Sequence, residues 1–250
     1  MRQLETFVAL AADLDGWFNP HSQATWDLLL CFQREQNIRG NLFEIGVHGG
    51  KSAALSTLHR AADEWHVYCD KVLQSGARGL LEGMNPDRSR FIEKDSTLLR
   101  VERDFDGIEP IFRWVHIDGH HSASVVARDL QLADQVLATD GILVVDDFFS
   151  VRYPQITASL FQYQQSHPFS FQPLLVGFNK GYFTRPLAAR RYREYLRDRF
   201  YDEMTSSGYP RICIFKSTTP EDYNCFGFAS AGAGEGGYFG LDSDPSEILI

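Results

Sequence analysis

Short unbroken apolar runs alternate along this chain with longer stretches whose apolar residues recur at helical spacing. The runs are Leu42 to Val47, His66 to Asp70, Arg90 to Ser96, Arg113 to Asp118 and Gly141 to Phe148. Runs of this length that end in an acid or a glycine read as buried strands. A tight loop and a helix from about Gly50 to Ala62 follow the first run, and a helix to about Ala138 follows the fourth. Pro154 opens another helix, over 154 to 166, because proline is tolerated in a first helical turn. Alternation of strand and helix at this spacing predicts an α/β protein whose sheet is mostly parallel, with helices on both faces.

The flanks read differently. Leu4, Phe7, Val8, Ala11 and Leu14 form a helical stripe over residues 2 to 15, and Trp26, Leu29, Leu30 and Phe32 form a second over 22 to 36. Gly16-Trp-Phe-Asn-Pro20 separates them. Residues 1–39 are thus an N-terminal helical cap, which packs on the core or makes a homodimer contact. Phe171 to Gly177 and Gly181 to Thr184 alternate around the turn Phe178-Asn-Lys-Gly181, which predicts an antiparallel hairpin closing the sheet. A helix over 187 to 204 carries Arg190, Arg191, Arg193, Arg197 and Arg199 among Glu194, Asp198, Asp202 and Glu203. It is either a solvated face or a grip on an acidic acceptor. Arg211 to Lys216 reads as one more strand. The last 25 residues mix glycine with Phe226, Phe228, Tyr238 and Phe239, as a lid or a loosely packed tail would. The expected divisions are 1–39, a core over 40–186, and a C-terminal extension over 187–250.

The chemistry concentrates at strand ends. Asn41-Leu-Phe-Glu-Ile-Gly-Val-His-Gly-Gly-Lys-Ser52 is a strand, glycine turn and helix start, the ligand-binding corner of an open parallel sheet. Gly50-Lys51-Ser52 looks like the end of a phosphate loop, and Ile142 to Asp147 looks like its magnesium-holding strand. Such a loop needs a glycine at position 45, which is Ile. The dinucleotide fingerprint G-x-G-x-x-G is also out of register. Glu44-x-Gly46-x-x-x-Gly50 suits a cofactor without phosphate: one glycine for the turn and another for close backbone approach. Asp70 stands 26 positions after Glu44, at the end of the second run, where a ribose diol partner is expected.

Taken in order, these segments resemble the motif series of the class I S-adenosylmethionine (SAM)-dependent methyltransferases, over about residues 40 to 185. The resemblance implies a Rossmann-like sheet and a SAM pocket. That pocket is built by Glu44, Gly46, Val47, His48, Gly50, Lys51 and Ser52, by Asp70 for the ribose, by Asp95 and Ser96 for the adenine, and by Asp118. Asp118 ends the fourth run, and Asp146 with Asp147 ends the fifth. This pattern resembles the metal-dependent small-molecule O-methyltransferases of catechol and macrolide-sugar type. It implies that Asp118, Asp146 and Asp147 hold Mg²⁺, which lowers the pKa of an acceptor hydroxyl. Asp118-Gly-His-His-Ser122 resembles the D-G-x-H-S segment of one methyltransferase subfamily and of cephalosporin-hydroxylase-like relatives. His121 fits that spacing as a general base, with His120 as the second candidate and Asp118 beside them. The expected function is methyl transfer to a hydroxyl of a small molecule, a secondary metabolite or sugar. The alternatives are a hydroxylase-like relative on the same fold and a SAM- or NTP-binding module without turnover.

Composition narrows the partners. The 250 residues hold 44% hydrophobic and 23% charged positions, ordinary for one globular core. A net charge of −9 opposes nonspecific binding to nucleic acid. Cys31, Cys69, Cys213 and Cys225 lack C-x-x-C spacing and read as free thiols of a reducing compartment. Arg2, Glu5, Asp13 and Asp15 interrupt the N-terminus, and no apolar run could span a membrane. A cytoplasmic protein is expected.

Overall fold

The apolar runs pair side by side. In the computed structural model, which describes residues 2–216 and 225–230, they form β1 (Asn41–Ile45), β2 (His66–Asp70), β3 (Ser89–Glu93), β4 (Phe112–Ile117) and β5 (Leu137–Asp146). These five strands are mutually parallel in the order β3-β2-β1-β4-β5. The hairpin β6 (Gln172–Gly177) and β7 (Lys180–Thr184) adds β7 antiparallel to β5. Two further strands, β8 (Ile212–Lys216) and β9 (Phe226–Ser230), extend the sheet beyond β6.

Alternation along each strand sends residues to two cores. Leu42, Trp114, Ile142 and Val144 enter one, while Phe43, Val115, Leu143 and Val145 enter the other. The first is covered by α1 (Leu4–Leu10), α2 (Pro20–Glu35), α3 (Lys51–Leu58), α4 (Ser75–Met84), α8 (Pro186–Asp198) and α9 (Phe200–Ser206). The second is covered by α5 (Val101–Asp104), α6 (Ala123–Val136) and α7 (Pro154–Ser166). Among the described residues, no helix is long and apolar enough to cross a membrane.

Several boundaries differ from the sequence reading. The helix expected to reach residue 62 stops at Leu58. The stripe over 2 to 15 is α1 followed by a 3₁₀ turn at Ala11–Asp13. The helix over 187 to 204 is two helices, because Arg199 leaves helical geometry at φ −131°. Its arginines 190, 191, 197 and 199 pair with Glu194, Asp140, Asp198, Glu35 and Glu203, which favours a solvated, ion-paired face. Helix α4 was not anticipated: Gly76, Gly79 and Gly83 disguise it, and burial of Ala77 and Leu81 holds it in place. Phe226–Ser230, expected within a loose tail, is strand β9; the remainder of that tail lies outside the described residues.

The N-terminal helices are part of the core rather than a cover laid on it. Trp26 of α2 meets Trp114 edge-on at 5.1 Å and His116 at 4.7 Å. Between α1 and α2, Phe18 is buried against Phe7 and Trp26, whereas Trp17 is 93% exposed.

Helix α6 carries one residue at odds with its surroundings. Asp129 is fully buried, and neither carboxylate oxygen has a hydrogen-bond partner among the described residues. Burial pushes its carboxyl up to about 7, with Ser96 opposing and Asp95 adding to the rise. The folded state therefore keeps a proton that the unfolded chain releases near pH 4, so stability falls as pH rises from about 4 to about 7. Asp129→Asn is expected to remove this loss, giving a gain of roughly 2–4 kcal/mol at pH 8 that shrinks toward pH 4. Urea unfolding at pH 5 and pH 8 checks it; equal wild-type and variant stability at both would refute the assignment.

Candidate active site

The carboxyl ends of β1, β2, β4 and β5 open on a cavity of about 1000 Å³, the place where open α/β sheets bind ligands. Its floor is the loop after β1. Gly46 has φ +87°, and a Cβ there would lie 1.9 Å from the Asp118 carbonyl oxygen. Only glycine lets this loop cross the end of β4 so closely. The N-terminal strap lies over the loop: a Cβ on Gly49 would meet Asp15 O at 2.4 Å, and Lys51 Nζ donates to Gly16 O at 3.3 Å. That strap carries exposed Trp17 to the cavity rim, beside His48 at 5.9 Å.

Asp70 decides which ligand the loop accepts. Its Oδ2 accepts from the backbone N–H groups of Val47 at 2.8 Å and His48 at 3.0 Å. A phosphate would need those amides and would meet a carboxylate instead, which disfavours a nucleoside triphosphate. A nucleoside with hydroxyls and a cationic sulfonium meets no such conflict, so the cavity fits SAM. Asp70 was expected to serve a ribose diol; in the structure its carboxylate ties the loop to β2. Asp95 and Ser96 line the same cavity, with Asp95 capping a 3₁₀ turn through Thr97 N at 3.0 Å. Val47, His48, Lys51, Ser52 and Asp118 line it too.

Two expected cofactor contacts stand elsewhere. Gly50 starts α3 at φ +81° and packs toward Ala77 and Leu81 of α4, so its freedom serves helix packing. Glu44 is buried below the floor, where it accepts from Ser52 Oγ and lies 3.4 Å from His116 Nδ1. Its strand points it into the first core, away from the cavity.

The acids at β4 and β5 converge, but not as three equal ligands. Asp146 accepts from Asp147 N at 2.8 Å through Oδ1, and its Oδ2 pairs with Lys180 Nζ and lies 3.8 Å from His116 Nε2. Burial opposes charge on His116, yet Asp146 and Glu44 outweigh it and raise that imidazole to about 9. Burial likewise opposes charge on Asp146, and Lys180 with His116 overcomes it, holding the carboxyl far below its ordinary value. The Asp118 carboxyl is pushed well up, by burial first and then by the Asp146 charge. Water tempers this, since a third of its side chain opens into the cavity.

Ligand-type atoms of Asp118, His121 and Asp147, and of His116, Asp118 and Asp146, lie within 4.8 Å of one another. The Mg²⁺ set implied by resemblance, Asp118, Asp146 and Asp147, nonetheless does not fit an oxygen cage: both oxygens of Asp146 are engaged, one by an ammonium.

The two histidines separate clearly. His120 Nδ1 meets Ser122 Oγ at 3.1 Å and accepts from its backbone N–H at 3.2 Å, a local turn that starts α6. His121 stacks on Tyr153 at 4.1 Å and places Nε2 3.0 Å from Asp147 Oδ2 and 3.9 Å from Asp118 Oδ1. Asp147 itself is left-handed at φ +52° and accepts from Asn179 Nδ2 at 2.6 Å. His48, Phe149, Phe178 and Asn179 are also left-handed, so strained backbone gathers in the loops around this cavity. Sequence reasoning missed His116, Lys180, Asn179, Tyr153 and the site role of Trp17. A histidine inside the apolar run Trp114-Val-His-Ile117 was the one available signal.

Among the described residues, this strand order, with the cavity at these strand ends, gives the Rossmann-like fold of the solved methyltransferase structures it resembles. Residues 43–148 match a family model described as a methyltransferase domain. Among solved structures, the O-methyltransferase NovP is 14% identical at a TM-score of 0.54, covering 67% of this chain and 80% of that one. MycE methyltransferase of the mycinamycin pathway, solved with Mg, SAH and mycinamycin VI, is 17% identical at 0.54, covering 73% and 54%. SAH-bound PaMTH1 of Podospora anserina is 16% identical at 0.51, covering 73% and 87%. No curated protein sequence matches the chain.

The floor of the site yields a direct test. Gly46→Ala should destabilise the fold by about 3–5 kcal/mol, since both its φ and the Asp118 carbonyl exclude a side chain. Gly79→Ala, in open space on α4, should instead stabilise by about 0.5–1 kcal/mol. Thermal unfolding of the pair reads both, and a Gly46→Ala protein as stable as wild type would refute this loop geometry.

Proposed function

We propose that the chain transfers a methyl group from SAM to a hydroxyl of a small molecule, with His121 as general base. One observation carries the reading: His121 lines the cavity beside Asp118 and Asp147, its ring held by Tyr153. The matched domain and the SAH-bound neighbours support the cofactor, and the macrolide bound to MycE is consistent with a small acceptor.

When bound, SAM supplies a methyl group already activated on a sulfonium. The chain has two tasks: to hold the acceptor oxygen against that methyl and to take the hydroxyl proton. Holding reactants in line can account for about 7–11 kcal/mol of barrier in favourable cases. Trp17, exposed at the rim, offers a flat apolar face for the acceptor body. His121 takes the proton, and Asp147 at 3.0 Å stabilises the imidazolium that forms. Asn179 keeps Asp147 facing His121 by holding its other oxygen. The proton needs no further carrier, because the cavity opens to solvent beside His121.

The test is radiolabelled methyl transfer from SAM across a panel of hydroxylated small molecules, followed by His121→Ala on any acceptor found. The substitution should lower turnover by about 10²–10⁴-fold and leave SAM affinity within about threefold. Unchanged turnover would remove His121 from the mechanism, and methylation confined to amines would overturn the hydroxyl assignment.

A further inference from the structure

Lys180 has no place in the methyl-transfer reading, yet it is among the most constrained side chains of the site. It begins β7, immediately after the left-handed pair Phe178 and Asn179. Only 3% of it is exposed, and its ammonium lies 5.4 Å from the Phe18 ring and 5.8 Å from that of Trp26. A buried ammonium is tolerated where an anion pairs with it and aromatic faces surround it. The anion is Asp146, one of the three acids that resemblance assigns to a divalent ion.

The hairpin turn that delivers Lys180 is itself fixed. His21 stacks on Phe178 at 4.2 Å with the rings 5° from parallel, and Ser22 Oγ donates to Phe178 O at 3.2 Å. Asn179 O accepts from Phe148 N at 3.2 Å. Helix α2 on one side and the end of β5 on the other thus leave the lysine little freedom to withdraw. Asp146 is equally committed, with Oδ1 on the Asp147 amide and Oδ2 on the ammonium.

We propose that Lys180 is a resident cation that removes Asp146 from metal ligation, so that the acceptor site of this chain is neutralised by its own ammonium rather than by a divalent ion. The inference deepens the methyltransferase reading of the site and rests on it for the role of the cavity. Asp118 and Asp147 remain as two acids beside His121, too few hard oxygens for a tight Mg²⁺ or Mn²⁺ cage. Lys180 acts as a positioning residue: it holds Asp146 in place and touches neither cofactor nor acceptor in this scheme.

Mn²⁺ binding, read by electron paramagnetic resonance and calorimetry, tests this without any acceptor. Wild type should bind Mn²⁺ weakly. Lys180→Met should free Asp146 and tighten binding by about 10- to 100-fold, and adding Asp146→Asn to it should return affinity to the wild-type level. Unchanged or weaker binding by a folded Lys180→Met protein would overturn the proposal. Should circular dichroism show that variant unfolded, Asp146→Asn alone decides. Wild-type Mn²⁺ affinity kept within about threefold supports the resident cation, and a tenfold loss makes Asp146 a ligand and rejects it. SAH binding by wild type without metal is measured in parallel. Its absence would retire the methyltransferase reading, while the Mn²⁺ series judges Lys180 alone.

Discussion

Four buried charges of alternating sign, Glu44, His116, Asp146 and Lys180, run from below the cofactor loop to the end of β5. Each would be costly alone in this interior, and each is compensated by the next. The chain of charges crosses β1, β4, β5 and β7, so it fixes the strand ends from which the cavity is built. Removing one member would leave its neighbour uncompensated, at a cost of about 3–5 kcal/mol for a buried pair. The site therefore depends on this line of charges more than on any single residue exposed in the cavity.

Other constraints attach to it. Glu44 accepts from Ser52 in the first turn of α3, which sets where that helix begins. Trp26 packs on His116 and faces Lys180, so α2 encloses the charges from the first core. The turn at Phe178 and Asn179 places Lys180 on Asp146 and Asn179 on Asp147 together. A hairpin that completes the sheet thereby also orients both acids of β5. Above this, Asp70 and Gly46 shape the loop for a ligand without phosphate, and His121 stands at the opening with Asp147.

Much of this was legible from sequence. The five apolar runs are the five parallel strands, and Pro154–Ser166 matches its expected helix. The hairpin and the strand near 212 were also readable, because alternation and turn residues are local signals. Helix α4 was hidden, since its three glycines lower local propensity and only contacts with Gly50 and α3 reveal it. Among site residues, the acids at the strand ends and His121 were visible because strand ends are where such sheets bind ligands. Glu44 and Gly50 were placed in the cofactor pocket by motif, but strand alternation turns one inward and helix packing employs the other. Lys180 and Asn179 read as turn residues, and nothing local announces that the turn folds back over β5. Their partners lie 34 and 32 positions away, a distance that only the sheet topology closes.

In the proposed reading, the corner after β1, with Asp70 on its amides, takes an adenosyl group and rejects phosphates. Equilibrium dialysis with radiolabelled SAM, challenged by excess SAH or by excess ATP with Mg²⁺, measures this most directly. One saturable SAM per chain, displaced by SAH and untouched by ATP, is the predicted result. Displacement of SAM by ATP, or the lack of any saturable SAM binding, would contradict the account.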